Sequence, residues 1–384
     1  MKFVFDHTHY VPVLRLKGAE KGALRNLVPA VSSRITPLLE LVSTKNNSPR
    51  KIADDVRRSW GPAPFFLDDM NYPESTDGNA LARFGSAMRS HGLQSIPVTG
   101  LNRTREHQNT IAGIIATDGR GACLRLNLKD LREPFLTPNL NDLLTRLRLR
   151  PDQVDLIVDY EVLPVFSLLY SELCQRLPYL QQWRTLTAVS GAFCQDLTEY
   201  KKNAQYTRPR DDWYFYQSQV TVKLPRTPTY GDYSIQFGLY REPPRGANVS
   251  ASIRYTSHDY WVIMRGEGLR NEGGPGYAQY AANAALLCER EEFSGSSFSY
   301  GDRYIENLKN GSAGTGSPET LLRAGINHHI SFVVQQLSNL FATSVGDAPF
   351  LGDSANRQPV RVENRLSREA YGERLRPPQA RPTK

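Results

Sequence analysis

The chain has 384 residues, a formal net charge of +8 and 40% hydrophobic residues. These values are ordinary for a soluble globular protein near the upper size limit of one domain. No apolar run approaches the roughly 18 residues of a membrane span, and Asp6, His7 and His9 interrupt the segment where a signal peptide would be apolar. We therefore expect a cytoplasmic protein that is not inserted in a membrane.

Most of the positive charge lies near the C-terminus. From Asn356 to Lys384, eight Lys or Arg residues stand against three Glu, a net of +5 that leaves +3 for the first 355 residues. This stretch is rich in Pro and Arg and poor in large apolar residues, which predicts a largely disordered basic tail over 346–384. We interpret the tail as a solubilising terminus or, alternatively, as an arm that contacts phosphate or a partner.

A short apolar run followed by a helical stretch recurs at intervals of about 30 residues, the size of a strand, a helix and two loops. Each run is brief, rich in β-branched or aliphatic residues and bounded by turn formers. The stretch 230–237, YGDYSIQF, follows as an eighth strand. Eight units predict a parallel (β/α)₈ barrel of the TIM type, and the alternative is an open doubly wound α/β sheet. The first seven runs begin near Val11, Ile35, Pro64, Ser95, Ala122, Asp155 and Thr185.

Local signals place the helices between the strands. Ser48 is predicted to cap a helix that has Pro49 in its first turn, and Gly92 is predicted to end the next one. After strand seven, an aromatic-rich segment is predicted to form a helix capped by Asp211 or Asp212.

The remaining segments are predicted to decorate the barrel. Residues 252–266 have the pattern of a β-hairpin that turns at 257–259, inserted before the last barrel helix. Further on, Ser317 is expected to start a short helix, and Asn327 is expected to cap another. We therefore expect the barrel, its hairpin and the C-terminal helices to occupy 1–345.

Polar residues stand at the C-terminal end of every predicted strand. In a parallel barrel these ends meet at one face, where the loops build the site. A packed barrel does not need a polar residue on all eight strands, so the set indicates a site; the alternative is an ion network whose charges satisfy one another. In strand order, the residues are Arg15 and Lys17, Glu40, Asp68 and Asp69, Thr99, Arg125 and Asn127, Asp159 and Glu161, Ser190 and Gly191, and Asp232.

Strand six carries two acids, Asp159 and Glu161, in the same phase as Ile157. Because alternate side chains of a strand point to opposite faces, both acids are predicted to point into the barrel mouth. Their spacing along the strand would be roughly 6.5 to 7 Å, which places them in successive layers of one site.

Three chemistries are compatible with these residues. Carboxylates are ligands that Mg²⁺ or Mn²⁺ prefers in phosphoester chemistry. Alternatively, Asp159 or Glu161 acts as a general acid or base. Third, Lys17, Arg125 and the backbone amides after Ser190 hold an anion without catalysis. The metal ligands would be Glu40, Asp68, Asp159 and Asp232.

The segment INHHISF places His328 and His329 at the predicted start of a helix, which favours the neutral imidazole. A neutral imidazole can bind a metal or accept a proton, and adjacent helical residues do not share a face, so we expect at most one to reach a given site. The alternative is a capping histidine beside a buried one. Asp302 is either a turn residue or a lid residue over the barrel mouth.

Eight short segments of the chain carry a family resemblance through their order and spacing. They are YVPVLRLKGAEKGAL with ITPLLELV, FLDD, LIVDYE, YGDYSI, IRYTSHDYWVIMRG, FSYGDRYI and AGINHHISFV. With these segments the sequence resembles the bacteriophage and prophage beta-protein family over about residues 8–340. The resemblance implies no established reaction or cofactor. Members of this family look like phage or mobile-element proteins in settings of conflict between phage and host.

We therefore expect the C-terminal barrel face to bind an anionic, phosphorylated ligand, such as a nucleotide or a nucleic-acid end. Whether the protein is also an enzyme, for example a metal-assisted hydrolase, stays open. The alternative is a non-catalytic protein that engages a protein partner or DNA through the hairpin and the tail. The candidate catalytic residues are Asp159, Glu161 and His328. The candidate ligand-binding residues are Lys17, Arg125, Ser190, Arg254, Arg265 and Asp302.

Overall fold

The computed structural model describes residues 5–43, 48–72, 79–162, 175–220, 224–241 and 246–342. The chain divides into two units, Met1–Ala342 and Thr343–Lys384. The second unit, and with it the predicted tail over 346–384, lies outside the described residues.

The first unit is built on two sheets. Their strands are β1 (Tyr10–Arg15), β2 (Leu38–Glu40), β3 (Phe65–Asp68), β4 (Ser95–Thr99), β5 (Ala122–Asn127), β6 (Val154–Val162), β7 (Thr185–Gly191), β8 (Ala204–Pro209), β9 (Thr229–Asp232), β10 (Ser250–Thr256) and β11 (Tyr260–Gly268). Strands β1 to β7 and β9 form a closed barrel in which each strand pairs in parallel with its neighbours. Because β9 pairs with both β7 and β1, the predicted barrel is confirmed and the open sheet is excluded.

Helices follow most of the barrel strands. They are α1 (Gly18–Arg25), α2 (Pro29–Ser32), α3 (Pro49–Ser59), α4 (Asn79–Ser90), α5 (Arg105–Asp118), α6 (Leu128–Arg132), α7 (Leu136–Leu147), α8 (Asp211–Phe215), α9 (Gln279–Cys288), α10 (Tyr300–Lys309) and α11 (Pro318–Ala342). Ser48 caps α3 by accepting a hydrogen bond from the Lys51 amide, as predicted. None of the described helices combines the length and the apolar character needed to cross a bilayer.

Two apolar layers hold the barrel. Inward-pointing residues such as Val13, Phe66, Val98 and Ile157 fill its interior. The outward face of the strands packs against the apolar faces of the helices, as Leu140 and its neighbours in α7 illustrate. The barrel interior is therefore a packed core, which leaves the strand ends as the place for a site.

A second, three-stranded antiparallel sheet follows the barrel in the order β10, β11, β8. The predicted hairpin is confirmed, since β10 and β11 pair around the turn at 257–259. Strand β8, which the sequence analysis did not predict, adds to β11. Residues of β10, β11, α9, α10 and α11 form a separate apolar cluster around Tyr255 and Met264.

The predicted eighth strand is too long. Strand β9 ends at Asp232, because Ser234 adopts a left-handed conformation with φ of 57° and its amide donates to the Asp232 carboxylate at 2.8 Å. This local hydrogen bond turns the chain out of the sheet. The residues from Tyr233 onwards therefore form a loop at the barrel mouth.

Two predicted helix caps are also wrong. Asp211 and Asp212 lie in the first turn of α8, and Arg210 is the residue before the helix. Asn327 lies inside α11, which is one continuous helix over Pro318–Ala342. Its side chain is buried and bonds the carbonyl of Ala23 and the amide of Gly301. Tertiary hydrogen bonds thus satisfy the polar side chain that had suggested a helix start.

Candidate functional site

An arginine occupies the centre of the barrel mouth. Arg125, near the end of β5, is buried, and its guanidinium contacts one carboxylate on each of β2, β3 and β6. Nη1 donates to Glu40 Oε1 at 2.9 Å and to Asp68 Oδ2 at 2.7 Å. Nε donates to Asp159 Oδ2 at 2.8 Å. Three of the four predicted metal ligands therefore meet around one cation.

Tyr233, the first residue after β9, joins the same group. Its hydroxyl donates to Asp159 Oδ2 at 2.6 Å and accepts from Arg125 Nη2 at 2.9 Å. Burial, followed by the charge of Asp159, raises the pKa of Tyr233 well above its usual value, so the hydroxyl keeps its proton. One oxygen of Asp159, Oδ2, thus accepts hydrogen bonds from both a cation and a neutral hydroxyl.

Further arginines engage the remaining carboxylate oxygens. Arg103 Nη2 donates to Asp68 Oδ1 at 2.5 Å, and Arg15 Nε lies 3.6 Å from Glu40 Oε2. Burial acts to raise the pKa of Asp68, but the charges of Arg103 and Arg125 outweigh it and bring the pKa to about 2. The charges of the mouth are therefore largely paired with one another.

A β-bulge separates the two acids of strand six. The register of β6 against β7 shifts between Asp159 and Val162, and Glu161 has a left-handed φ of 55°. The Glu161 amide donates to Asp159 Oδ1 at 2.8 Å. The expectation of regular alternation through Glu161 is therefore wrong. Burial, and next the charge of Asp159, raises the pKa of this half-buried acid.

Asp232 lies in a separate buried cluster. Its carboxylate accepts from the hydroxyls of Tyr10 at 2.5 Å and Tyr230 at 3.0 Å. His329 Nε2 lies 2.9 Å from Asp232 Oδ2, the same oxygen that accepts from Tyr230. Burial lowers the pKa of His329, which favours the neutral ring. Asp232 is thus not brought together with the carboxylates around Arg125.

The neighbouring histidine reaches a different acid. His328 Nδ1 lies 2.9 Å from Asp302 Oδ2, and its Nε2 lies 2.8 Å from the Thr256 carbonyl oxygen. Asp302 also accepts from the Tyr255 hydroxyl at 2.6 Å. Both His328 and Asp302 are fully buried, so these contacts join α10, α11 and β10. Neither residue lines the barrel mouth.

Carboxylates and histidines are the side chains of this site that could bind a metal ion. Among the described residues, no group of three or more His, Cys, Asp or Glu side chains is arranged to hold a metal ion. At the mouth, the guanidinium of Arg125 takes the place between the carboxylates that an ion would need. A Mg²⁺ or Mn²⁺ site stays a prediction from sequence.

A cleft of about 800 Å³ opens next to the mouth, where the end of β1, the start of α1 and the loop after β9 meet. Cations outnumber acids by six to three among the described residues that line it. The cations are Arg15, Lys17, Lys21, Lys51, Arg241 and Arg254, and the acids are Glu20, Asp55 and Glu319.

Arg254 extends from β10 into this cleft. Its Nη1 donates to the Ile235 carbonyl at 3.0 Å, and its guanidinium lies 4.8 Å from the centre of the Phe193 ring. It forms no ion pair with a carboxylate in the described part of the chain. Burial accordingly lowers the pKa of Arg254. The positive charge of this side chain is poorly compensated.

Lys17 and Tyr240 form another wall of the cleft. Lys17 Nζ lies 4.9 Å from the centre of the Tyr240 ring, a distance at which the ring attracts a cation. Lys17 is the residue that directly precedes α1. Two of the predicted ligand-binding residues, Lys17 and Arg254, thus line one cleft.

Two other predicted ligand-binding residues lie elsewhere. Ser190 is buried at the end of β7, in register with Asp232. Arg265, on β11, donates to the carbonyl oxygens of Leu197 and Tyr200 and therefore holds the loop before β8. The structure brings neither residue into the cleft.

Several residues of the site were missed by sequence reasoning. Tyr233 and Gln236 lay within the predicted eighth strand, where they counted only as strand residues. Arg103 follows β4 in a loop, and Glu20 lies in the first turn of α1. A signal did exist for Glu20 and Tyr233, because both fall in segments that carry the family resemblance. Their partners, however, are distant in sequence and depend on the closed barrel.

The strand order defines an α/β barrel with a charged mouth and a basic cleft beside it. The family model described as Beta protein matches residues 10–335, so the chain belongs to the Beta protein family. None of the curated proteins matches the chain.

Two solved structures of tryptophan synthase show a weak likeness. The Mycobacterium tuberculosis enzyme is 12% identical, with 85% of this chain and 92% of that chain covered and a TM-score of 0.31. The a2b2 complex from Pyrococcus furiosus is 15% identical, with coverages of 41% and 80% and a TM-score of 0.23. The fold assignment rests on the strand pairing and not on these likenesses.

Proposed function

We propose that this protein binds an anionic, phosphorylated ligand in the cleft beside the barrel mouth. The observation that carries the proposal is the position of Arg254, a half-buried cation that lines the cleft and whose guanidinium forms no ion pair with a carboxylate in the described residues. Even partial withdrawal of a charge from water is costly unless the charge is paired, and a bound phosphate would supply the missing partner.

The surroundings of Arg254 support the same ligand class. Lys17 and Lys51 line the cleft as well, and the first turn of α1 begins at Gly18. Lys21 also lines it but is paired with Asp55 at 2.5 Å. A helix start and nearby cations together favour phosphate groups. The volume of about 800 Å³ suits a ligand of nucleotide size. We extend the proposal to a nucleotide or a nucleic-acid end, in the phage–host setting that the resemblance to phage and prophage proteins suggests.

We favour ligand binding in the cleft over catalysis at the barrel mouth. Acid–base or metal-assisted chemistry by Asp159 would require Arg125 and Tyr233 to release a carboxylate that both now engage. Separating a buried ion pair leaves an uncompensated charge and costs several kcal/mol. Hydrolysis therefore remains a prediction for which the contacts of Asp159 supply no support.

The alternative function uses the hairpin as a docking surface. Most of β10 and β11 is buried against the helices or β8, and the exposed part is the turn with His258 and Asp259. The basic tail, its other element, lies outside the described residues. We therefore favour ligand binding in the cleft over partner binding through the hairpin.

Calorimetric titration with inorganic pyrophosphate tests this proposal. We expect the wild type to bind one pyrophosphate per chain and Arg254→Met to bind it at least about tenfold more weakly, as expected when a charged hydrogen bond is lost. Arg150→Met is the matched control, because Arg150 precedes β6 and so lies at the opposite end of the barrel. Equal binding by wild type and Arg254→Met, or no binding by the wild type, would overturn the proposal.

A further inference from the structure

The inner wall of the cleft is a row of hydrogen-bonded polar side chains. Arg15 Nη1 donates to Gln236 Oε1 at 2.8 Å, and Gln236 Nε2 donates to Glu20 Oε1 at 3.1 Å. Arg15 Nη2 also donates to the carbonyl oxygens of Phe237 at 2.5 Å and Gly238 at 3.1 Å. The row therefore fixes the loop after β9 against the first turn of α1.

Glu20 is the buried acid of this wall. It is 2% exposed, and its Oε2 has no hydrogen-bond partner in the described part of the chain. The guanidinium of Arg15 belongs to the same wall, and Lys17, Lys21 and Lys51 also line the cleft. Burial raises the pKa of Glu20, and the hydrogen bond from Gln236 and the charges of Arg15 and Lys17 offset this effect only in part. A hydrogen bond from a ligand to this buried oxygen would be favourable, because the oxygen has lost its water and has no other donor among the described residues.

A bare phosphate matches only part of this cleft. The cations Lys17 and Arg254 suit the phosphate group, whereas Glu20 would repel it. A ligand that carries both a phosphate and hydroxyl groups satisfies both sides, since a hydroxyl can donate to a carboxylate while the phosphate meets the cations. Carboxylates bind the hydroxyls of ribose in nucleotide sites in this way.

We infer that the cleft binds a phosphate ester of a hydroxylated sugar and that Glu20 accepts a hydrogen bond from one of the sugar hydroxyls. This inference rests on the proposed function, because the phosphate of the same ligand would contact Arg254 and Lys17. The apolar side chains of Leu239 and Tyr240 line the outer part of the cleft, where a base would fit if the ligand is a nucleotide.

A ligand series on the unmodified protein tests the inference without any variant. Calorimetry compares methyl phosphate, ribose 5-phosphate and AMP. We expect ribose 5-phosphate to bind at least about tenfold more tightly than methyl phosphate, the gain expected of one hydrogen bond to a charged group. Tighter binding of AMP than of ribose 5-phosphate identifies a nucleotide, and equal binding identifies a sugar phosphate.

The variant Glu20→Gln tests the residue. It should reduce the preference for ribose 5-phosphate over methyl phosphate by about tenfold, while methyl phosphate binds as well as before or better because a negative charge is removed. Asp54→Asn is the matched control, since it removes one charge from α3 at a residue that does not line the cleft. The control should keep the wild-type preference.

The outcomes separate this inference from the proposed function. If the wild type binds methyl phosphate and ribose 5-phosphate equally, the sugar inference fails and the proposed function stands. If Glu20→Gln keeps the full preference, Glu20 does not contact the sugar. If neither phosphate nor its esters bind to the wild type, the proposed function itself fails.

Discussion

In the barrel mouth Arg125 contacts three carboxylates, whereas in the adjoining cleft Arg254 contacts none among the described residues. Arg125 is buried and Arg254 is half-buried, and both lie near the C-terminal ends of the barrel strands. Arg15 connects the two regions, because its Nε faces Glu40 in the mouth and its Nη1 holds Gln236 in the cleft.

This difference shows that a charged strand end does not by itself identify a binding site. Where opposite charges are within reach, they pair and the group becomes part of the structure. Where they are absent, the charge remains available for a ligand. We therefore propose a structural role for the Arg125 network and a binding role for the cleft, and four further experiments test this division.

The largest effect should come from Arg125→Met. The substitution leaves Glu40, Asp68 and Asp159 buried without their shared cation, which should lower the free energy of unfolding by about 3–5 kcal/mol or prevent folding. Arg254→Met should change it by less than about 1 kcal/mol, because no carboxylate loses a partner. Urea unfolding measures both values. Similar losses for the two variants would contradict the division.

The acid dependence of stability should be the next largest effect. The pKa of Asp68 is about 2 in the folded protein, whereas the ordinary value of an aspartate is 3.8. A lowered folded-state pKa stabilises the protein above the unfolded value, and this contribution, of about 2 kcal/mol, is lost as the pH falls from about 4 to about 2. Asp68→Asn should remove this part of the pH dependence in urea unfolding. Asp54→Asn, outside both regions, should retain it.

The smallest effect should come from the rim of the cleft. Lys51 is exposed, so Lys51→Ala should weaken pyrophosphate binding only two- to threefold, about 0.5 kcal/mol, and less at high salt. The exposed Lys202 does not line the cleft, and Lys202→Ala should bind as the wild type does. An effect of Lys51→Ala as large as that of Arg254→Met would show that the rim, and not the desolvated arginine, dominates.

Much of the fold could be predicted from the sequence because each barrel unit is a local pattern. The regular recurrence of strand and helix fixes the number of units, and parallel closure then gathers Glu40, Asp68 and Asp159 at one end. The structure differs from the prediction where tertiary contacts override local sequence signals. Asn327 resembles a helix cap, yet its side chain is satisfied by groups from α1 and α10.

The site was less predictable, because pairing depends on register and distance. Arg125 was correctly placed at the mouth, but only the closed barrel shows that it lies between three acids. Arg254 and Glu20 come from an inserted hairpin and a helix, about 230 residues apart in sequence. No spacing rule along the chain links them. The cleft is therefore visible only in three dimensions.

A crystal soaked in tungstate, a heavy tetrahedral oxyanion with a strong anomalous signal, tests the division between mouth and cleft most directly. The account predicts an anomalous peak in the cleft, in contact with Arg254 and close to the start of α1, and none against Arg125. A peak against Arg125, or an unoccupied cleft at saturating tungstate, would contradict it.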